Sequence, residues 1–315
     1  MIRRRTMLAS LASAAIAPAA IAPAARAQSW KSNYPELVYA VVPAENASGV
    51  VDRYTPFTAY LTKTLGTKVT LRVANDYAAV IEGQRAGNIH IGYYGPASFS
   101  RARMTGVQTD AFVIDVNSDG TKGYYSVFYV RTDSPYHDIK DLKGKNLGLV
   151  DPNSTSGYNM PLYTLDKMGI ETADQYFGKV LVTGSHENAV IAVADKTVDV
   201  AANWWNADDD SNLTRMLTKG MLKNADGSPM KKEDFRIILK SALIINSPTA
   251  MLSSLPPDLK TAIRDAWMNA ATADKVAFDR LSDGKNLPWQ PITNADYDDT
   301  IKMVSFVDKL RRKAA

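Results

Sequence analysis

Apolar positions along the chain switch between two periods. Leu37–Val42 reads as a strand, and Val50–Leu65 recurs at helical spacing before Gly66, a residue suited to a C-cap. Lys68–Val73 predicts a second strand and Tyr77–Ala86 a second helix. The pattern restarts after residue 130. Strands are expected at Asn146–Val150, Lys179–Thr183 and Val198–Ala201, with helices at Tyr158–Met168 and Ala189–Ala194 between them. This alternation predicts an α/β protein with mostly parallel sheets flanked by helices. Residues 256–315 read as helical. Pro256-Pro257 opens a helix with Trp267 and Met268 on its apolar face, and the whole segment is expected to pack back on the first half.

Two segments about 110 residues apart read alike. Ala79-Val-Ile81 leads through a turn to Ile89-His-Ile91 and Tyr94; Ala189-Val-Ile191 leads to Val198-Asp-Val200 and Trp204. Such self-similarity predicts two lobes of one architecture. Ser126–Arg131 and Arg236–Lys240 are the strands expected to carry the chain between them. The first lobe would then take residues 28–131 and 240–315, and the second 132–239. Two lobes joined by two crossings enclose a cleft that can close on a ligand. In open α/β sheets, ligands sit at the carboxyl ends of strands. Tyr94, Ser154–Ser156, His186 and Asn203–Asn206 all follow predicted strands.

One of these turns stands out. Asp151-Pro-Asn-Ser-Thr-Ser-Gly157 joins a strand to a helix with three hydroxyl side chains and a glycine. The first N–H groups of a helix lack internal acceptors and lie at its positive end, so this turn suits an oxyanion. An ordinary N-cap would use the same residue types.

Charge removes some function classes. The chain has 37 Lys+Arg and 33 Asp+Glu, and four of the arginines fall in residues 1–27, which contain no acid. The remaining 288 residues therefore carry 33 of each, and the argument for nucleic-acid binding disappears. Residues 1–27 read as an export signal: a basic head at Arg3–Arg5, an Ala-rich apolar stretch, and Ala25-Arg-Ala27 as a cleavage site before Gln28. Arg4-Arg5-Thr6-Met7-Leu8 suits a twin-arginine route and equally a plain secretory one. There is no cysteine, so an exported fold must rest on core burial alone.

The motifs Thr55-Pro-Phe57, Asn75-Asp-Tyr77, Tyr94-Gly95, Gly123-Tyr124, Asp151–Gly157, Gly184-Ser-His-Glu187 and Val198-Asp-Val-Ala201 run in order along most of the chain. In this the sequence resembles the periplasmic phosphonate-binding proteins of ABC transporters. The resemblance implies a two-lobed, hinge-closing receptor of type II-like architecture, working in the periplasm as a monomer with a membrane permease and an ATPase. It implies no cofactor. By the same resemblance Tyr77, Tyr124, Ser154, Thr155, Ser156 and His186 hold the phosphonate group, and Tyr94, Asn203, Trp205 and Asn206 join the site. All the phosphonate-holding groups can donate hydrogen bonds without burying a fixed cation. His186 is expected to titrate near neutrality and share a proton with the ligand.

The departures from the family pattern are specific. Members that take 2-aminoethylphosphonate hold its ammonium with two carboxylates; the matching positions here are Asn206 and Ser247. Trp204 and Trp205 suggest a planar wall instead. Asp208, Asp209 and Asp210 could substitute as acids, though an acidic cluster opening a helix is commonly solvated. Phosphite, methylphosphonate or another phosphonate with an uncharged tail is the expected ligand, with phosphate or a phosphate ester as the alternative. An exported phosphatase is the rival class. Its metal chemistry needs clustered ligands, whereas the three histidines are scattered, and no G-x-S-x-G elbow is present.

Overall fold

The computed structural model describes residues 30–170 and 172–314. The expected export signal at 1–27 lies outside the described residues. The chain opens with β1 (Glu36–Val41), α1 (Ala47–Leu65), β2 (Lys68–Val73), α2 (Tyr77–Arg85), β3 (Ile91–Tyr93), α3 (Pro96–Met104) and β4 (Thr109–Asn117). It continues through β5 (Gly123–Arg131), β6 (Asn146–Leu149), a single π-helical turn (Thr155–Asn159), α4 (Met160–Lys167), α5 (Ala173–Tyr176) and β7 (Lys179–Val182). Next come α6 (His186–Ala194), β8 (Val200–Ala207), β9 (Asp210–Ser211), α7 (Asn212–Thr218), β10 (Phe235–Lys240) and β11 (Ile244–Ile245). The last elements are β12 (Pro248–Leu252), α8 (Pro257–Ala273), α9 (Lys275–Arg280), β13 (Asn286–Pro291) and α10 (Asp298–Ala314).

These strands form two sheets, ordered β13-β4-β12-β3-β1-β2 and β10-β5-β8-β6-β7. In each sheet three strands run parallel, β2-β1-β3 and β7-β6-β8, and the helix before the third strand is α2 or α6. The two self-similar segments thus occupy equivalent places. The sheets are mixed rather than mostly parallel, because β12, β4 and β13 in one, and β5 and β10 in the other, add antiparallel pairs. The alternation along the sequence reports only the βαβ units. Strands next to the crossings run back on their neighbours.

The crossings also fall earlier and later than expected. β5 and β10 pair with each other inside the second sheet, so residues 123–131 belong with that sheet and the chain changes sheets at 118–122 and 246–247. The C-terminal region differs too. It contains β13, an edge strand whose Pro288 and Pro291 are tolerated because one side of an edge needs no ladder donors. α8 and α9 join the first lobe's core around Trp267, which meets Tyr39, Phe57 and Phe112 edge-on at 5.5, 5.2 and 5.5 Å. α10 instead touches both lobes. Arg101 of α3 makes a two-pronged ion pair with Asp308, and Val307 is buried in the second lobe's core. Met303 and Val304 pack with Ala97, Tyr124 and Met160 beneath the interlobe cleft.

Candidate functional site

The loop after β6 is shaped by one close approach. Val150 donates its N–H to the Gly157 carbonyl at 2.8 Å, and a Cβ on Gly157 would sit 2.3 Å from Val150 Cγ2. Only glycine fits there. The Ser154 side chain caps the turn by accepting from Gly157 N–H at 3.1 Å. The first-turn N–H groups of Thr155 and Ser156 have no intrahelical acceptor, as geometry requires. The π-helical turn begins here, an irregularity that recurs at functional sites.

α3 begins at the opposite lobe, and its Ala97 N–H donates to Thr155 Oγ1 at 2.8 Å. Nearer the mouth, Asn46 N–H donates to Glu187 Oε2 at 2.7 Å, and Lys285 pairs with Asp209. The lobes therefore meet over a cavity of about 150 Å³. Tyr77 at the start of α2, Gly95 before α3, Ser154–Ser156 before α4 and His186 at the start of α6 all line it. Four helix N-termini point their positive ends at one place.

The site is rich in neutral donors. Burial pushes the Tyr124 phenol up to about 12 and that of Tyr77 further still, with hydroxyls of Thr155, Ser156 and Ser154 opposing. Both phenols stay protonated. His186 behaves differently from the expectation of near-neutral titration. Burial pulls it down to about 4, with the Asn203 hydrogen bond opposing. Asn203 Oδ1 accepts from Trp204 N–H at 2.9 Å, and its Nδ2 donates to the His186 carbonyl at 2.8 Å. The ring Nδ1, 3.0 Å from Asn203 Oδ1, must therefore carry the proton. Nε2 is left as an acceptor, 3.2 Å from Ser154 Oγ. A neutral imidazole in this tautomer can accept a hydrogen bond from the protonated oxygen of a monoprotonated oxyanion. No Lys or Arg contributes to the shifts at Tyr77, Tyr124 or His186.

Of the residues singled out by sequence, Tyr77, Tyr124, Ser154, Thr155, Ser156, His186 and Asn206 line the cavity, as does Ser247. Three do not. Tyr94 is buried in the first lobe's core and donates to Gln84 Oε1 at 2.8 Å; its neighbour Tyr93 faces the cavity. Trp205 packs on Tyr125 and under Lys240, while Trp204 lines the cavity. Asn203 stands behind His186 and orients it. Adjacent strand residues face opposite ways, so a one-residue misreading exchanges wall for core. Asp208, Asp209 and Asp210 stay outside this cavity: Lys232 pairs with Asp208, Lys285 with Asp209, and Asn206 donates to Asp210 at 2.8 Å.

The cavity continues past these groups. Tyr39, Tyr54, Tyr93, Trp204 and Trp289 wall a second part that contains Arg53, Arg215, Glu45 and Asp115. Asp115 accepts from the Tyr93 hydroxyl at 2.7 Å and Trp289 Nε1 at 2.8 Å. Burial pushes its carboxyl up, and Tyr93, Trp289, Arg53 and Arg215 pull it back. No local motif marks these positions in the sequence. They come from β1, the turn before α1, α1 itself, β3, β4, β8, α7 and β13, and meet only in the fold. Among the described residues no group of His, Cys, Asp and Glu is arranged to hold a metal ion.

Two α/β lobes closing over a buried cavity, with helix N-termini aimed into it, define a two-lobed solute receptor. Comparison with known proteins agrees. The profile of the phosphonate family of ABC transporter periplasmic substrate-binding proteins matches residues 39–297. The phosphonates-binding periplasmic protein of Escherichia coli is 32% identical over 262 residues, covering 81% of this chain and 71% of that one. A binding protein component of an ABC phosphonate transporter from Pseudomonas aeruginosa superposes with TM-score 0.75 at 25% identity, over 88% of each chain. PhnD1 of Prochlorococcus marinus, in complex with methylphosphonate, superposes with TM-score 0.72 at 19% identity, over 87% of this chain and 99% of that one, a likeness of fold. The chain belongs to the phosphonate-binding family of ABC transporter substrate-binding proteins.

Proposed function

We propose that this protein is the periplasmic receptor of an ABC importer and captures a phosphonate or phosphite-type oxyanion between its lobes. One observation carries the reading of the ligand. Three consecutive hydroxyls, two protonated phenols and a neutral histidine converge on one buried cavity at the N-termini of four helices. Hydrogen bonds to an ionised acceptor are about twice as strong as neutral ones, and here they need no buried counter-cation. Neutral His186 Nε2 accepts a hydrogen bond from the ligand's protonated oxygen, which releases the Ser154 hydroxyl to donate to another. Closure brings Ala97 against Thr155 and seals the oxyanion from water.

The receptor hands its ligand to a permease driven by an ATPase and reaches the periplasm through the signal at 1–27. Cleavage before Gln28 and action as a monomer belong to the same proposal. The cavity residues act by binding, and no catalytic role is assigned to them.

Calorimetric titration with phosphite, methylphosphonate, 2-aminoethylphosphonate and phosphate tests this reading. Saturable binding of phosphite or methylphosphonate is expected, with weaker binding of the aminoethyl compound, because Asn206 and Ser247 carry no charge. Binding of phosphate alone would move the ligand to the alternative class.

A further inference from the structure

The hydroxyl-rich end of the cavity accounts for a phosphorus oxyanion. It leaves the second part, around Arg53 and Arg215, without a role. Arg53 is only 6% exposed. Its Nη atoms donate to the Leu281 carbonyl and to Glu45, and its Nε is buried with no partner. Arg215 is less committed still. Its guanidinium lies 4.9 Å from the Trp204 ring centroid, and its nearest carboxylates, Asp210, Glu45 and Asp283, stand 3.8, 3.9 and 3.9 Å away, beyond good hydrogen-bond reach. Its Nε is also buried and unpartnered.

Guanidinium donors without acceptors are uncommon and costly in a buried place, and Arg215, which lines the cavity, has no carboxylate nearer than 3.8 Å. The face of Trp204 holds the Arg215 fork in place, and such a fork matches the two oxygens of a carboxylate. The chamber's own acids do not supply the missing acceptor, since Asp115 is engaged by Tyr93 and Trp289, and Glu45 by Arg53 and Lys219. An ammonium tail entering here would meet two guanidiniums, and the two carboxylates beside them are already engaged, Glu45 by Arg53 and Asp115 by Tyr93 and Trp289, while Asn206 and Ser247 carry no charge.

We infer that the chamber formed by Arg53, Arg215 and Trp204 is a tail subsite that selects phosphonates carrying a carboxylate. This rests on the phosphonate reading of the hydroxyl-rich end. It replaces the expectation of an uncharged tail with one of opposite charge to an ammonium. The tail carboxylate lies against the Arg215 fork and stays clear of Asp115.

The test is calorimetric titration of the purified protein, freed of bound ligand, with methylphosphonate, phosphonoacetate, 3-phosphonopropionate and 2-aminoethylphosphonate. At least one carboxylated compound is expected to bind tenfold or more tighter than methylphosphonate, and the aminoethyl compound more weakly. Arg215→Met should bring the ratio of carboxylate to methyl affinity within about threefold, and Arg215→Lys should restore part of it. Methylphosphonate binding with no gain from either carboxylate would overturn the inference and leave the oxyanion site intact. So would an unchanged ratio in Arg215→Met. Failure of every phosphonate to bind would overturn the oxyanion site itself, and the inference with it.

Discussion

At one end of the cavity, Ser154, Thr155, Ser156, Tyr77 and Tyr124 offer hydroxyls and no formal charge. At the other, Arg53, Arg215, Glu45 and Asp115 bring four ionisable groups into a space walled by Tyr and Trp. Both ends are buried, but they handle burial differently. The hydroxyl end avoids desolvating ions when empty and relies on dipoles fixed by helix starts and by Gly157. The charged end tolerates its ions by pairing Arg53 with Glu45, while Arg215 is held by carboxylates no nearer than 3.8 Å. A neutral end suits any ligand of the class. A charged end discriminates within the class, because a wrong charge there is expensive.

Four changes would break or sharpen this contrast. The largest effect is expected from Gly157→Ala. Its Cβ meets Val150 from both Cβ and Cγ2, at 2.4 and 2.3 Å, so the loop must shift. Overpacking of this kind destabilises by about 1–3 kcal/mol, and the shift should abolish binding of every phosphonate alike, read by thermal unfolding and titration. Thr155→Val keeps the shape but removes the hydroxyl that faces Ala97 N–H and the ligand. Charge-assisted hydrogen bonds contribute about 1.5–3 kcal/mol, so affinity should fall roughly 10- to 100-fold for all tails equally. A loss confined to one tail would contradict a shared oxyanion end.

His186 gives a pH signature of intermediate size. Its folded value near 4 lies below the ordinary 6.5, so the unfolded chain binds more protons between those values. Stability attached to the neutral ring is present above pH 6.5 and is lost as pH falls toward 4, by about 3 kcal/mol at most. The difference in stability between wild type and His186→Gln should follow that window in denaturant titrations. Affinity for methylphosphonate should move the opposite way, weakening as pH rises past the oxyanion's second ionisation, near 6 for phosphoesters. The smallest effect belongs to the mouth. Lys285 and Asp209 pair across the lobes, but Lys285 is only half-buried and Asp209 is exposed, so Lys285→Ala should weaken binding about twofold, and less in high salt.

The same contrast explains what the sequence could reveal. Ser154–Ser156 and Gly157 are contiguous and sit between a strand and a helix, so a local pattern exposes them. Tyr77 and His186 each open a helix after a strand and are readable for the same reason. Tyr94 and Trp205 were expected in the site where Tyr93 and Trp204 stand, because the strand ends show alternation without showing which face is buried. Arg53 lies amid an ordinary amphipathic helix, Asp115 in an apolar strand and Trp289 in a proline-rich segment. Only the return of β12 and β13 to the first sheet, and the closing of α7 over α1, bring them together. The parallel core of each lobe was legible from its βαβ rhythm. The antiparallel additions depend on where the chain crosses between sheets, which no periodicity encodes.

A crystal structure of the protein with methylphosphonate tests the division of the cavity most directly. The account predicts the phosphonate oxygens within hydrogen-bond reach of Ser154, Thr155, Ser156, Tyr77 and Tyr124, with His186 Nε2 facing one of them and the methyl group pointing toward Trp204. A phosphonate group seated instead on Arg53 and Arg215, with the hydroxyl end unengaged, would contradict it.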